Sequence, residues 1–131
     1  MSFETAEMGT PATDKVAGML RAIERGDMET FRACFAPGAL VWHNVDGVAK
    51  GLDDVCAMVG GLLDASTSVI YETQSFARKG HESFIQHVLR ANLKSGEAIE
   101  SPAILRVETN DDGLVTRIDE YYDSRATDCL G

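Results

Sequence analysis

The chain has 131 residues, of which 44% are hydrophobic and 25% charged, and its formal net charge is −9. This length suits one domain with a single core, and the acidic charge argues against nucleic-acid or anionic-membrane partners, which need a basic face. The three cysteines have no CxxC spacing, and no apolar run approaches the roughly 20 residues of a membrane span. We therefore expect one cytoplasmic domain over 1–131 with reduced thiols, residues 1–12 being a flexible arm.

The first part of the chain predicts two short helices and a strand. Apolar residues at helical spacing run from Thr13-Asp14 to Gly26, a residue type that commonly ends a helix. Asp27 is suited to cap a second helix, which Pro37-Gly38 would stop. Residues 39–45 have strand-like composition and precede a turn signal.

The remaining chain predicts one more helix and four consecutive strands. The helix begins at Leu52-Asp53-Asp54. Turn residues separate four strand-like segments, which we assign to 67–78, 82–93, 98–108 and 113–123. Because helices and strands do not alternate, the pattern indicates an α+β fold in which a curved antiparallel sheet wraps around three N-terminal helices. Such a sheet encloses an internal pocket.

The last strand carries a carboxylate on its apolar face. At a period of two, one face of this strand holds Leu114, Thr116, Ile118, Glu120 and Tyr122. Burying a carboxylate is costly unless it is paired or neutralised. Glu120 is therefore interpreted as the centre of a polar pocket. The alternative is that it lies near the open end of the strand and reaches water.

His87 lies on another inward-looking apolar face, together with Ile85, Leu89 and Ala91. Histidine titrates near neutral pH, and a carboxylate partner would fix its tautomer and raise its basicity. We therefore predict that His87 and Glu120 form a catalytic acid/base pair across the pocket. The alternative is a core histidine bonded to a backbone carbonyl.

Trp42, His43 and Asn44 alternate in facing, so either Trp42 and Asn44 enter the pocket or His43 does. Trp42 would form a wall against an apolar or aromatic ligand, with plain core packing as the alternative. Asn44 or His43 would orient a substrate oxygen or a water molecule. Tyr122 could donate a phenolic hydrogen bond to the substrate, whereas Tyr71 is assigned a structural role.

Several stretches resemble a known family. AIERGDME at 22–29 followed by FAPGALVWH at 35–43 resembles the opening of the SnoaL-like proteins. These belong to the nuclear-transport-factor-2-like, or ketosteroid-isomerase-like, superfamily. KGLDDV at 50–55 is similar to its third-helix entry, and DGLV through EYYD at 112–123 to its closing strand. The resemblance covers roughly 13–124. It implies a cone-shaped α+β fold with a deep pocket, often in a homodimer built on the outer sheet face.

The resemblance implies activities that range from isomerases, polyketide cyclases, dehydratases and epoxide hydrolases to non-catalytic binding modules. Met19 and Ala103 stand near the positions where a ketosteroid isomerase carries its Tyr and Asp, and Leu89 replaces an Asp of limonene-epoxide-hydrolase-like enzymes. Neither of those two mechanisms is therefore expected.

Our hypothesis is a small enzyme of isomerase, cyclase, dehydratase or lyase type that moves a proton on a hydrophobic oxygenated small molecule. The alternative is a non-catalytic protein that binds such a molecule in the same pocket. The family is mostly cofactor-free, and we expect no cofactor. His43, His87 and Glu120 are ligand types of metal sites, but they lack a recognised spacing, and no metal is predicted.

Overall fold

The structure of the protein is a computed structural model that describes residues 15–130, except for the side chain of Leu130. The predicted arm at 1–12 and the predicted helix start at Thr13-Asp14 lie outside the described residues. Among the helices that are described, none is long and apolar enough to cross a membrane.

Within residues 15–130, three helices pack against one face of a sheet. Helix α1 spans Lys15–Arg25 and ends at Gly26, whose φ of +71° is a left-handed conformation that favours glycine. Helix α2 spans Met28–Ala33, and the Asp27 carboxylate caps it by accepting a backbone N–H three residues further on. Helix α3 spans Leu52–Ala65. The predicted helix end at Gly26 and the predicted cap at Asp27 are confirmed.

In the described part of the chain, six strands form one sheet in the order β2-β1-β6-β5-β4-β3. The strands are β1 Phe35–His43, β2 Val48–Gly51, β3 Ser66–Lys79, β4 Glu82–Leu93, β5 Ala98–Thr109 and β6 Val115–Tyr122, and a short 3-10 helix, Ser124–Leu130, follows. The four predicted long strands are confirmed to within two residues at each end. The short strand β2 was not predicted.

Strand β1 begins before Pro37-Gly38, the pair that we expected to separate it from the preceding helix. Gly38 has a φ of +79°, and the pairing of β1 with β6 changes register between Phe35 and Leu40. The two residues therefore form an irregularity inside the strand. The sequence signal for a break was correct, but the break interrupts a strand and does not end a helix.

The predicted α+β class is confirmed, and the sheet is mixed because one pair of strands is parallel. β1 runs parallel to β6, whereas every other neighbouring pair within residues 15–130 is antiparallel. Neighbouring strands that run parallel require a long connection, and here the connection consists of all the elements between β1 and β6. This pairing sets His43 directly beside Glu120.

The core fills the space between the helices and the inward face of the sheet. Met19, Ile85 and Val107 are at most 2% exposed, and burial of each such side chain contributes about 1.5–3 kcal/mol. Ile118 faces the core as predicted, but Val115, predicted to face outward, is fully buried. The pairing with β5 explains this difference. Glu108 pairs with Arg117 and Thr109 pairs with Val115, so β6 carries one extra residue, Thr116, which interrupts the alternation of its side chains.

Candidate functional site

A cavity of about 200 Å³ lies between the helices and the inward face of the sheet. Its walls are mainly apolar. The side chains with polar groups that line it are His43, Tyr71, His87, Ser101, Glu120, Tyr122 and Thr127. Met58 of α3 also lines the cavity and is 44% exposed, which marks the opening to solvent. An apolar cavity with a few convergent polar groups is typical of a small-molecule site.

His43 and Glu120 are in contact at one side of this cavity. His43 Nε2 lies 2.9 Å from Glu120 Oε1, a hydrogen-bond distance. The contact follows from the parallel pairing of β1 with β6, which makes the two residues direct neighbours. Because an ionised carboxylate only accepts hydrogen bonds, Nε2 carries the proton in this contact. His43 is buried, while a quarter of the Glu120 side chain is exposed.

His87 lies in the cavity wall on β4 and is 1% exposed. Neither of its ring nitrogens has a hydrogen-bond partner among the residues described. The Tyr71 ring packs against it edge to face, with 5.2 Å between ring centroids. Burial lowers the pKa of His87 below its ordinary value of 6.5; the Glu120 charge opposes this effect and Arg21 adds to it. The imidazole is therefore neutral at neutral pH.

The predicted pairing of His87 with Glu120 does not occur, because Glu120 contacts His43 instead. Strand β5 lies between β4 and β6. In the register, His87 is opposite Ala103, and Ala103 is opposite Tyr122. His87 and Glu120 thus line the same cavity from strands that are not neighbours, and their catalytic assignment stays a prediction.

Of the three consecutive candidates at the end of β1 and just beyond it, His43 reaches the cavity. Trp42 lies on the opposite face of the sheet, where its ring packs edge-on against Tyr121 at 5.3 Å. Asn44 is exposed and pairs with the Tyr122 backbone, donating to its carbonyl at 3.1 Å and accepting its N–H at 3.0 Å. The predicted pocket roles of Trp42 and Asn44 are therefore corrected. Asn44 continues the β1–β6 pairing and thereby positions Tyr122.

Two tyrosines, Tyr71 and Tyr122, line the cavity. Tyr122 packs edge-on against His43, with 6.1 Å between ring centroids. Burial raises the pKa of Tyr122 and of Tyr71 above the usual range, and the Glu120 charge adds to both shifts. Both phenols are therefore protonated at neutral pH and can donate hydrogen bonds.

Tyr71 is held from behind by α1. Its backbone N–H donates to Glu24 at 2.7 Å, and Arg21 donates to its carbonyl at 2.7 Å. The structural role predicted for Tyr71 thus accompanies a place in the cavity wall. Ser101, which is buried and lines the cavity, was missed. Its place in an alternating run with Ile99 and Ala103 is the signal that could have found it.

Metal binding requires several ligands at one point. Within residues 15–130, no group of three or more His, Cys, Asp or Glu side chains is arranged to hold a metal ion. The polar groups of the cavity can instead accept, hold and donate protons, which are the steps of acid–base chemistry.

The sequence was compared with protein families and with curated proteins. A family model described as a SnoaL-like domain matches residues 16–118, so Glu120 and Tyr122 lie beyond the matched range. No curated protein matches the chain.

Several solved structures are similar to the whole described fold. IdmH, a proposed polyketide cyclase from Streptomyces antibioticus, is 17% identical with a TM-score of 0.78, over 92% of this chain and 97% of its own. AclR, a proposed hydroxylase from Streptomyces galilaeus, is 15% identical with a TM-score of 0.76, over 93% and 82%. TerC, co-crystallised with polyporic acid, is 14% identical with a TM-score of 0.76, over 92% and 98%. At these identities the likeness shows the fold alone.

Proposed function

Because the chain belongs to the SnoaL-like domain family, we propose that it is a small cofactor-free enzyme that moves a proton on a hydrophobic oxygenated molecule. The observation that carries this proposal is the contact between His43 and Glu120 in the wall of an apolar cavity. A general base must lie within hydrogen-bond reach of the proton that it removes. A bound substrate in this cavity would meet that condition at Glu120.

Glu120 is the proposed base. Its Oε1 is engaged by His43, which leaves Oε2 to take a proton from a carbon next to a carbonyl group. His43 acts as a positioning residue that fixes the orientation of the carboxylate. The proton on Glu120 can pass to another carbon of the substrate, which gives isomerisation. It can instead pass to a group that the carbanion expels from the next carbon, so that a hydroxyl leaves as water in a dehydration and another group leaves protonated in a cleavage. If the carbanion attacks a second carbonyl carbon, the proton goes to the new alkoxide, which gives cyclisation.

The developing oxyanion needs hydrogen-bond donors. Tyr122 and Tyr71 carry protonated phenols at the cavity wall and can serve as those donors. His87, which is neutral, has one N–H and one lone pair and can hold or return a proton at a second substrate oxygen. These roles keep Glu120 and His87 as the catalytic candidates, with His43 as the direct partner of Glu120.

Deuterium exchange into general ketone probes tests this proposal. Small cyclic and aromatic ketones are incubated with the protein in D₂O, and NMR follows the loss of the C–H signal next to the carbonyl. We expect exchange above the buffer rate, reduced about 10²- to 10⁴-fold by Glu120→Gln. Glu100→Gln is the matched control, because Glu100 is exposed on the outer face and pairs with Arg90. Equal exchange by Glu120→Gln and wild type would refute the role of the base.

A non-catalytic binding protein is the second candidate. The two unpartnered nitrogens of His87 favour it, because they can recognise a ligand without any chemistry. In that case a ketone would bind in the cavity, would be recovered unchanged, and would show no exchange in wild-type protein.

A further inference from the structure

The volume of the cavity limits the ligand to about one ring. A cavity of roughly 150 Å³ lined by apolar side chains binds benzene, and the present cavity measures about 200 Å³. One ring with short substituents, roughly eight to ten non-hydrogen atoms, therefore fits. A fused ring system exceeds this volume, so its second ring would have to extend through the opening beside Met58 or displace the walls. Buried wall residues such as Phe35 and Leu105 belong to the close-packed core, which resists such movement.

Polar groups reach this space from two separate positions. One is the His43–Glu120 contact, and the other is His87 on β4. Two strand spacings and two residues of strand rise separate the backbones of His87 and Glu120 by roughly 12 Å. Both side chains extend into the cavity and shorten that distance. A single ring with one oxygen at each side can therefore meet both positions.

The chemistry of His87 identifies the second oxygen. Its imidazole is neutral, so it offers one donor and one acceptor, and neither has a partner in the described chain. A hydroxyl group can both donate and accept, so it satisfies either nitrogen. A ligand carboxylate could use only the N–H of His87, and it would add a second negative charge to the cavity that Glu120 already lines.

We propose that the site takes a molecule with a single ring that carries a carbonyl group on the side of Glu120 and a hydroxyl group that bonds to His87. The carbonyl end rests on the proposed function, whereas the size limit and the hydroxyl end rest on the cavity and on His87 alone. His87 is then the residue that determines specificity.

Binding of three probe ketones tests this inference. NMR titration of the wild-type chain compares 4-hydroxyacetophenone with acetophenone, which lacks the hydroxyl, and with 6-hydroxy-2-acetonaphthone, which has two fused rings. We expect 4-hydroxyacetophenone to bind about tenfold more tightly than acetophenone, the value of one well-placed buried hydrogen bond. It should also bind more tightly than the naphthalene compound, whose second ring exceeds the volume of the cavity. Equal affinity for the hydroxylated and unsubstituted rings would overturn the hydroxyl assignment, and tight binding of the naphthalene compound would overturn the size limit.

Variants then assign the effect to a residue. His87→Leu should bind 4-hydroxyacetophenone and acetophenone within twofold of each other, while His81→Leu, at an exposed histidine, should keep the tenfold preference. A preference that survives in His87→Leu would refute the role of His87. Glu120→Gln should retain the preference although it loses deuterium exchange. If wild-type protein catalyses no exchange but prefers the hydroxylated ring, the proposed function is overturned and this inference stands. If it catalyses exchange but shows no such preference, this inference is overturned and the proposed function stands.

Discussion

Replacing His87 with leucine should stabilise the protein. Two ring nitrogens of His87 are buried and lack hydrogen-bond partners in the part of the chain that is described. Burying a neutral polar group without a partner costs about 1–3 kcal/mol by mutational measurements. Leucine removes that cost, and repacking of a branched apolar side chain of similar size costs less than about 1.5 kcal/mol. We expect a net increase in the free energy of unfolding of about 1–2 kcal/mol.

Thermal and urea unfolding measure this change directly. A chain of this length gains about 3–4 °C in melting temperature for each kcal/mol, so the melting temperature should rise by about 3–8 °C. The exposed His81→Leu variant is the control, and its stability should change by less than about 0.5 kcal/mol. His87→Leu should therefore be more stable than the wild type but recognise the ligand less well, because function here requires an unsatisfied polar group.

A loss of stability in His87→Leu, with an unchanged urea m-value, would refute the reasoning. It would mean that the imidazole makes a stabilising polar interaction in the folded state. The pocket argument for His87 would then lose its physical basis, because the ring would be a satisfied core histidine.

Four further predictions follow from the same geometry. Burial keeps the pKa of His87 below 6.5, so as pH falls from 6.5 toward that lowered value the unfolded chain binds one more proton and stability falls, by up to about 1.4 kcal/mol per pH unit. The stability of His87→Leu should not depend on pH in this way. Curves of stability against pH that run parallel for the variant and the wild type would contradict the lowered pKa of His87. His43→Phe removes the N–H beside Glu120 and should slow deuterium exchange by up to about a hundredfold; an unchanged rate would exclude positioning by His43. Trp42→Ala should change the affinity for the ketone probes by less than twofold in NMR titration, because Trp42 lies on the outer face. A larger loss of affinity would mean that Trp42 contacts the ligand. The homodimer stays a prediction, and Ile104, exposed on the outer face, would lie in its interface. Ile104→Lys should lower the mass measured by sedimentation equilibrium from that of a dimer to that of a monomer. A monomeric wild-type protein would contradict the predicted homodimer.

The helices and long strands could be predicted because their signals are local. Gly26 and Asp27 mark the boundary between α1 and α2 through their own backbone and side-chain chemistry. Pro37-Gly38 shows the limit of this reasoning. The pair signals an interruption, and whether it interrupts a strand or separates two elements is decided by β6, which lies at the other end of the chain.

The facing of Glu120 could be predicted from period-two alternation, but its partner could not. A contact across a sheet depends on the order of strands, which alternation within one strand does not contain. His43 and His87 are both histidines on inward faces, and only the parallel pairing of β1 with β6 selects His43. The same pairing decides between His43 and its neighbours Trp42 and Asn44.

The chemistry of this site therefore depends on the register of one strand pair. A shift of one residue in β1 would exchange the facing of its side chains, bringing Trp42 into the cavity and removing His43 from Glu120. Two features of the structure oppose such a shift. The irregularity at Gly38 takes up the extra length between the paired residues Phe35 and Leu40. Asn44 bonds to both backbone groups of Tyr122 just beyond the end of β1. Asn44 thus contributes to the site without reaching the cavity, because it fixes the register that sets His43 against Glu120.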